Sequence, residues 1–157
     1  MLKIKNMTIR HAVENDLAIL LEFEQQIIEA ERPFNNTLKN GEIHFYDLHR
    51  LMENKKAEVV VAEIENEIIG SGYAVIKEEA DLFVKHTQFV YLGFMYVKPA
   101  YRGKGVSKAI IETLKGWAIT HGINEIRLQV YDENIVAKKA YQKAGFKGHM
   151  LEMRMGI

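Results

Sequence analysis

A glycine-rich turn lies between an apolar run and a helical pattern in the second half of the chain. It reads Met95-Tyr96-Val97-Lys98-Pro99-Ala100-Tyr101-Arg102-Gly103-Lys104-Gly105-Val106-Ser107. Glycines let successive backbone N–H groups point into one concavity, and the first N–H groups of a helix lack partners and carry partial positive charge. The pattern therefore predicts an anion site suited to a pyrophosphate, with Lys104 and Lys108 adding charge at its rim. Taken alone, the two glycines are equally compatible with an ordinary turn.

Nucleotide hydrolysis is not predicted for this turn. It lacks the Gly-Lys-Ser/Thr ending of a Walker loop, and it is not a complete GxGxxG pattern.

A second constellation lies in residues 134–146, where a helix is predicted. Ala137, Ala140, Tyr141 and Ala144 share one face of that helix, and small residues there let a ligand or another backbone come close. Tyr141 is the only group on this face that can donate a proton. Without further information, such a face is more often plain core packing than a site.

Together the two segments resemble the GNAT superfamily of acetyl-coenzyme A-dependent N-acetyltransferases. The family's pyrophosphate loop reads Arg/Gln-x-x-Gly-x-Gly/Ala, and residues 102–107 match it except that Ser107 replaces the last small residue. The family's later motif reads Asn-x-x-Ala-x-x-x-Tyr-x-x-x-Gly-Phe. Every quoted position of it is matched, by Asn134, Ala137, Tyr141, Gly145 and Phe146.

The resemblance implies a role for each matching position. The pantetheine arm of the coenzyme would lie beside the splayed strand that carries Met95, Tyr96 and Val97. The pyrophosphate would lie against the loop and helix start, formed by Arg102, Gly103, Lys104, Gly105, Val106, Ser107 and Lys108. Asn134 would contact the coenzyme arm. Tyr141 would protonate the leaving thiolate, and no metal would be required.

The base that deprotonates the amine is not evident from the sequence. Family members often carry a glutamate on the splayed strand or on the next one, where this chain has Tyr91 and Gln129. Four other candidates remain, namely Glu31, His44, His86 and Glu133, each also readable as an ordinary surface residue. A water chain leading from Tyr91 to bulk solvent is a further alternative.

Composition narrows the class of protein. The 157 residues include 21 basic and 21 acidic side chains and no cysteine. The zero net charge disfavours nucleic-acid binding, and the lack of cysteine excludes disulfides and thiolate metal sites. The six histidines show no clear metal-ligand spacing. Without a signal peptide or an apolar segment of about 20 residues, a cytoplasmic protein is expected, with residues 1–6 as a candidate dispensable leader.

Periodicity predicts one domain over residues 1–157. Strands are expected at 7–13, 58–64, 68–76, 89–97, 125–131 and 147–155, and helices at 17–30, 43–54, 105–120 and 134–144. Gly93 predicts a bulge or a close backbone approach within its strand. The fold class is mixed α/β (α+β). With the family resemblance, the sheet is expected to be mostly antiparallel, with one splayed strand pair and flanking helices.

The resemblance places the acceptor near residues 29–46. Acidic side chains (Glu29, Glu31, Asp47) would attract a cationic amine, and aromatic ones (Phe34, Phe45, Tyr46) would pack on its apolar part. A small-molecule primary amine is the expected acceptor. A protein lysine or N-terminus, and a non-catalytic acyl-coenzyme A sensor on the same fold, are the alternatives. A homodimer is also expected.

Overall fold

A computed structural model describes residue 4 and residues 6–157. In this part of the chain the sheet is built from β1 (Thr8–His11), β2 (Ala57–Ile64), β3 (Glu67–Glu78), β4 (Gln88–Val97) and β5 (Ile126–Arg127). The α-helices are α1 (Leu17–Glu31), α2 (Leu48–Glu53), α3 (Val106–Thr120) and α4 (Ile135–Lys143).

The five strands follow one another across the sheet in chain order. β1 to β4 pair antiparallel, whereas β4 and β5 run parallel. The parallel pair is brief, since only Val90 and Tyr91 of β4 have partners in β5. The prediction of a mixed, mostly antiparallel sheet with flanking helices and one splayed strand pair is therefore confirmed.

Each face of the sheet has its own apolar core. The buried residues of α3 pack on one face with Val60, Ile69 and Leu92. On the other face, α1 contributes Leu20, Phe23 and Ile27, whose spacing of three and four residues places them on one side of the helix.

A bulge in β4 decides which side chains reach which face. Ser71 pairs with Tyr96 and Tyr73 pairs with Gly93, so two steps along β3 oppose three steps along β4. Phe94 lies at the bulge and has a left-handed φ of +55°. This conformation is unusual for an aromatic residue. Side chains alternate between the two faces of a sheet along a strand. One inserted residue therefore makes every following side chain of β4 point to the opposite face.

The buried carboxylate of Glu24 holds the segment before α2 against α1. Glu24 is fully buried in the apolar face of α1. Its Oε1 accepts hydrogen bonds from the backbone N–H groups of Phe45 and Tyr46 at 2.7 and 2.8 Å, and its Oε2 lies 2.7 Å from Nδ1 of His44. These bonds fix the backbone that carries Tyr46 toward the sheet.

Two predicted elements are much shorter in the structure. The helix predicted at 43–54 covers only Leu48–Glu53, because Glu24 takes the preceding N–H groups and Asp47 caps the helix by accepting from Arg50 N–H. The strand predicted at 125–131 ends at Arg127, where its neighbour β4 bends away toward its bulge. Of the proposed leader, residues 1–3 and 5 lie outside the described residues.

The strand predicted at 147–155 is wrong. No part of it forms a strand, and its alternating apolar side chains are exposed: Leu151 by 61%, Met153 by 86% and Met155 by 87%. An alternating pattern produces a strand only where a neighbouring edge can pair with it. β5 ends at Arg127, so it offers only a short edge.

We expect Gly93→Ala to destabilise the protein by about 1–3 kcal/mol, the usual cost of overpacking a core. A Cβ at Gly93 would lie 2.6 Å from Cζ of the buried Tyr73. Urea unfolding measures the change. The control is Gly116→Ala on the exposed side of α3, where a Cβ meets nothing within 4 Å. It should stabilise by about 0.4–1 kcal/mol. Equal stabilisation by both variants would contradict the proposed contact with Tyr73.

Candidate active site

The sheet opens between β4 and β5 beyond their two paired residues. Lys98 N–H donates to Ile69 O at 2.8 Å and thus faces β3. In an antiparallel strand, the N–H and C=O groups of one residue point to one edge and those of the next residue point to the other. The backbone groups of Met95 and Val97 therefore face the opening. Tyr96 lies between them, with its ring 4.4 Å from that of Phe23. The opening thus exposes backbone donors and acceptors suited to an amide-containing ligand.

The glycine-rich turn joins this strand to α3. Gly103 and Gly105 both adopt left-handed backbone angles, with φ of +72° and +88°. The first hydrogen bond of α3 runs from Ala109 N–H to Gly105 O at 3.0 Å. The N–H groups of Val106 and Ser107, within the first turn, consequently have no acceptor inside the helix.

The side chains of the turn divide into a buried anchor and an exposed rim. Val106 is buried in the core and offers a ligand only its backbone. Arg102, Lys104 and Lys108 are exposed, and Ser107 is half-buried. The helix start therefore combines backbone donors with a positive rim, which suits an anion.

Three hydrogen bonds hold the turn in place. Arg102 Nε donates to Val97 O at 2.9 Å, tying the turn back to the end of β4. Glu67 accepts from Lys98 Nζ at 2.8 Å and from the Tyr101 hydroxyl at 2.7 Å. Arg102 thus acts on the backbone through its Nε, and the rest of its guanidinium remains at the rim.

Tyr141 lies on the inner side of α4. Asn134 caps the helix, with its Oδ1 accepting from Ala137 N–H at 3.1 Å, so its NH₂ group is what it offers a ligand. Tyr141 is half-buried and packs edge-on against Phe146 at 6.0 Å. Within the described chain its hydroxyl has no hydrogen-bond partner. Of the small residues predicted on this face, Ala137 and Ala144 are half-buried, whereas Ala140 is exposed.

Three elements bring ionisable groups toward Tyr141. Burial, followed by the charges of Glu31 and Tyr91, raises the pKa of Tyr141 to about 12. Burial and the charge of Glu31 also raise the pKa of Tyr91. The pKa of Glu31 is raised by burial. Residues from α1, β4 and α4 therefore share one electrostatic neighbourhood.

Aromatic rings line the α1 side of this neighbourhood. The ring of Tyr46 lies 5.5 Å from that of Tyr73 and 5.3 Å from that of Phe94. Burial is the main cause that raises the pKa of Tyr46, with Tyr73 and Glu31 adding to it. These phenols stay protonated at neutral pH and present ring faces and O–H donors.

The link after α1 reaches across to the chain that follows β5. Asn35 Nδ2 donates to the Tyr131 hydroxyl at 3.0 Å, and the ring of Phe34 stacks on that of Tyr131 at 6.1 Å. These contacts therefore hold the end of α1 close to the segment that follows β5.

The structure separates the candidate bases. His44 is bound to Glu24, and His86 Nε2 lies 2.9 Å from Glu125. Glu133 is exposed. Gln129 is exposed and lies 3.4 Å from the Tyr91 hydroxyl. Glu31 is the candidate carboxylate whose charge acts on Tyr141.

Sequence reasoning missed Tyr73, Phe94 and Glu24. Tyr73 lies in a strand where it resembles ordinary core, and the left-handed angle of Phe94 has no sequence signal, since glycine or asparagine would be expected there. Glu24 carried a usable signal, because an acidic residue interrupts the apolar stripe of α1. A charge at such a position needs hydrogen-bond partners.

Outside this region, three other kinds of feature bear on function: cavities, metal sites and membrane-spanning helices. A broad depression on another face of α1 is lined by Gln25, Glu29 and Arg32. Arg32 already bonds Glu29 and two backbone carbonyls there. Residues 4 and 6–157 contain no group of three or more metal-binding side chains suitably placed. Over the same residues, no helix is long and apolar enough to cross a bilayer.

An opened parallel strand pair beside a glycine-rich helix start is the architecture expected of acyltransferases that hold a thioester between strands. The model of the acetyltransferase (GNAT) family matches residues 22–146. The chain belongs to this family and is an acetyltransferase.

Relatives agree in sequence and in fold. An aminoglycoside N(6')-acetyltransferase type 1 of Salmonella typhimurium is 24% identical over 104 residues, covering 66% of this chain and 72% of the relative. A predicted acetyltransferase of Clostridium acetobutylicum, solved with acetyl-CoA, has a TM-score of 0.74 at 19% identity, covering 96% of each chain. The aminoglycoside N-acetyltransferase AAC(6')-Iy, solved with CoA, has a TM-score of 0.71 at 19% identity, covering 96% of this chain and 100% of that one.

We expect Gly105→Asp to abolish binding of acetyl-coenzyme A at millimolar concentration. The added carboxylate would lie at the helix start and repel a pyrophosphate, while its Cβ narrows the approach. Isothermal titration calorimetry measures the affinity. Gly105→Asn has nearly the same shape without the charge and should retain weak binding. Gly148→Asp adds the same charge at an open position and should bind normally. Unchanged affinity in Gly105→Asp would place the phosphates elsewhere.

Proposed function

We propose that this acetyltransferase moves the acetyl group of acetyl-coenzyme A to a primary amine of a small molecule, by direct attack in a ternary complex. The observation that carries the proposal is the opening between β4 and β5. Near it lie the donor-rich start of α3 and Tyr141, whose hydroxyl has no partner among the described residues.

In this proposal the coenzyme follows the opening. Its pantetheine arm meets the backbone of residues 95–97, and the NH₂ group of Asn134 approaches the same arm. Its pyrophosphate is held by residues 102–108, in which Val106 contributes only its N–H group. Tyr141 protonates the sulfur as the C–S bond breaks. The backbone N–H of Val97, which faces the opening, donates to the developing oxyanion.

The relatives support both co-substrates. The relative from Salmonella is named for acetylation of an aminoglycoside, a small molecule bearing amines. Two similar structures contain acetyl-CoA or CoA. The phenols near Glu31 also suit an ammonium group, because aromatic ring faces attract cations.

The decisive experiment is an acceptor screen with product mass measurement. Acetyl-coenzyme A is incubated with aminoglycosides, diamines, arylalkylamines and lysine-containing peptides, and each product is examined for an added acetyl group. Acetylation of small amines supports the proposal. Acetylation of peptides alone would assign a protein-modifying enzyme, and coenzyme binding without any product would assign a sensor.

We also propose a cytoplasmic homodimer. The exposed row of Leu151, Met153 and Met155 is an apolar surface that a second copy would cover. Light scattering across micromolar concentrations should give twice the 18.1 kDa of one chain. Met153→Glu together with Met155→Glu should shift the species toward the monomer. A parent protein that is monomeric throughout contradicts the dimer.

We expect Tyr141→Phe to lower turnover by about 10²-fold or somewhat less, the usual contribution of a positioned acid. Coenzyme affinity should be nearly unchanged, because the ring and its packing on Phe146 remain. With its pKa at about 12, the phenol of the parent stays protonated, so it should cause no alkaline decline below about pH 10.

Turnover and coenzyme affinity of both forms, with the same amine over a pH series, measure this role. Tyr101→Phe is the matched control, because it removes a phenol that bonds Glu67 near the turn. It should keep turnover at saturating coenzyme, because the bonds from Arg102 to Val97 and from Lys98 to Glu67 still hold the turn. If the Tyr141→Phe variant matches the parent in rate, Tyr141 serves packing alone.

A further inference from the structure

Glu31 is the last residue of α1 and faces the protein interior. It follows Ile27 by four residues and Glu24 by seven, and both of those side chains are buried. Positions separated by four and seven residues lie on one side of a helix. Glu31 is accordingly half-buried, whereas its neighbour Ala30 is exposed.

Within the described part of the chain, the carboxylate of Glu31 lacks a protein cation. It forms no hydrogen bond and no ion pair with any of those residues. Of the other carboxylates of the same helix, Glu22 is exposed to solvent, Glu24 accepts backbone N–H groups, and Glu29 lies 2.7 Å from Arg32 Nε. Desolvating a carboxylate without a partner is costly. The arrangement therefore leaves a place for a positive group supplied by a ligand.

The surroundings of Glu31 suit an ammonium group in particular. Its charge acts on the phenols of Tyr46, Tyr91 and Tyr141, which come from three different parts of the fold. Aromatic ring faces attract cations. Because the phenols are uncharged, the carboxylate of Glu31 is the group among these four that forms an ion pair with the cation. Tyr141 also marks the end of the opening where the thioester would lie.

We propose that Glu31 is a catalytic residue that binds the ammonium of the acceptor and removes a proton from it. The inference rests on the proposed acetyl transfer and names the base that transfer requires. It also defines the acceptor class as primary amines that are protonated in solution.

Protons balance in this scheme. Glu31 takes one proton from the ammonium, leaving a neutral amine. The nitrogen lone pair attacks the thioester carbonyl, the C–S bond breaks, and Tyr141 gives its proton to the sulfur. The new amide nitrogen loses its extra proton to the phenolate, and Glu31 releases its proton to solvent. One proton is released overall for each amide formed.

Electrostatics agrees with this role. Burial raises the pKa of Glu31 above its usual range. A carboxylate is a stronger base when its pKa lies nearer the working pH. The facing ionisable groups are the phenols of Tyr46, Tyr91 and Tyr141, whose pKa values are all raised, so they stay neutral at neutral pH.

The test compares Glu31→Gln with Glu22→Gln, which removes an exposed carboxylate from the same helix. Benzylamine, an ammonium at neutral pH, and O-benzylhydroxylamine, which is neutral there, are the matched acceptors. With benzylamine, Glu31→Gln should lose about 10²-fold or more in kcat/KM and lose the acid limb of its pH profile. With O-benzylhydroxylamine the loss should be much smaller, since no proton needs removing. Glu22→Gln should resemble the parent.

Calorimetry separates this inference from the proposed function. Benzylamine binding to the coenzyme A-loaded protein should weaken at least tenfold in Glu31→Gln, with coenzyme affinity unchanged. This holds even if the parent protein acetylates nothing, in which case the proposed function fails and the ammonium site stands. Equal benzylamine affinity in parent and Glu31→Gln, or equal losses with both acceptors, would overturn the role of Glu31.

Discussion

The site depends on the bulge that Phe94 creates in β4. Without the extra residue, Phe94 and Tyr96 would face α3, and Met95 and Val97 would face α1. The bulge turns Phe94 and Tyr96 into the aromatic core under α1 and bends β4 away from β5. The left-handed angle of Phe94 costs about 1–3 kcal/mol in general. Burial of its ring in the core, and the bond from Ser71 Oγ to its carbonyl at 3.1 Å, offset that cost.

A second interaction, the hydrogen bonding of the buried Glu24, fixes the segment before α2. Glu24 is buried, yet it accepts two backbone N–H groups and contacts His44, so its charge is met. The bonds shorten α2 and hold Tyr46 over Tyr73 and Phe94. Glu24 and Glu31 lie two turns apart on one face of α1, but among the described residues only Glu24 has its hydrogen bonds filled by the protein. This difference distinguishes a carboxylate that holds the fold from one that is available to a ligand.

Local patterns predicted most of the fold and the glycine-rich turn before α3, because these depend on neighbours in sequence. The helices α1, α3 and α4 follow from apolar spacing, and the turn at Gly103 and Gly105 follows from their backbone freedom. The early end of β5 and the missing C-terminal strand were not predictable, since strand formation depends on a distant partner edge. Glu31 ranked equally with His44, His86 and Glu133 in the sequence for the same reason. Only tertiary contacts show which side chains are already paired.

Burial acts in the same direction on the proposed base, Glu31, and the proposed acid, Tyr141, but with different consequences for proton transfer. Burial disfavours the charged form of both Glu31 and Tyr141, so both pKa values rise. For the carboxylate, the rise moves its pKa toward neutrality, where it accepts and releases protons readily. For the phenol, the rise keeps the proton in place until a developing thiolate takes it. An arriving ammonium would offset the desolvation of Glu31, while the phenols remain neutral around it. One apolar environment can therefore prepare both groups for opposite proton transfers.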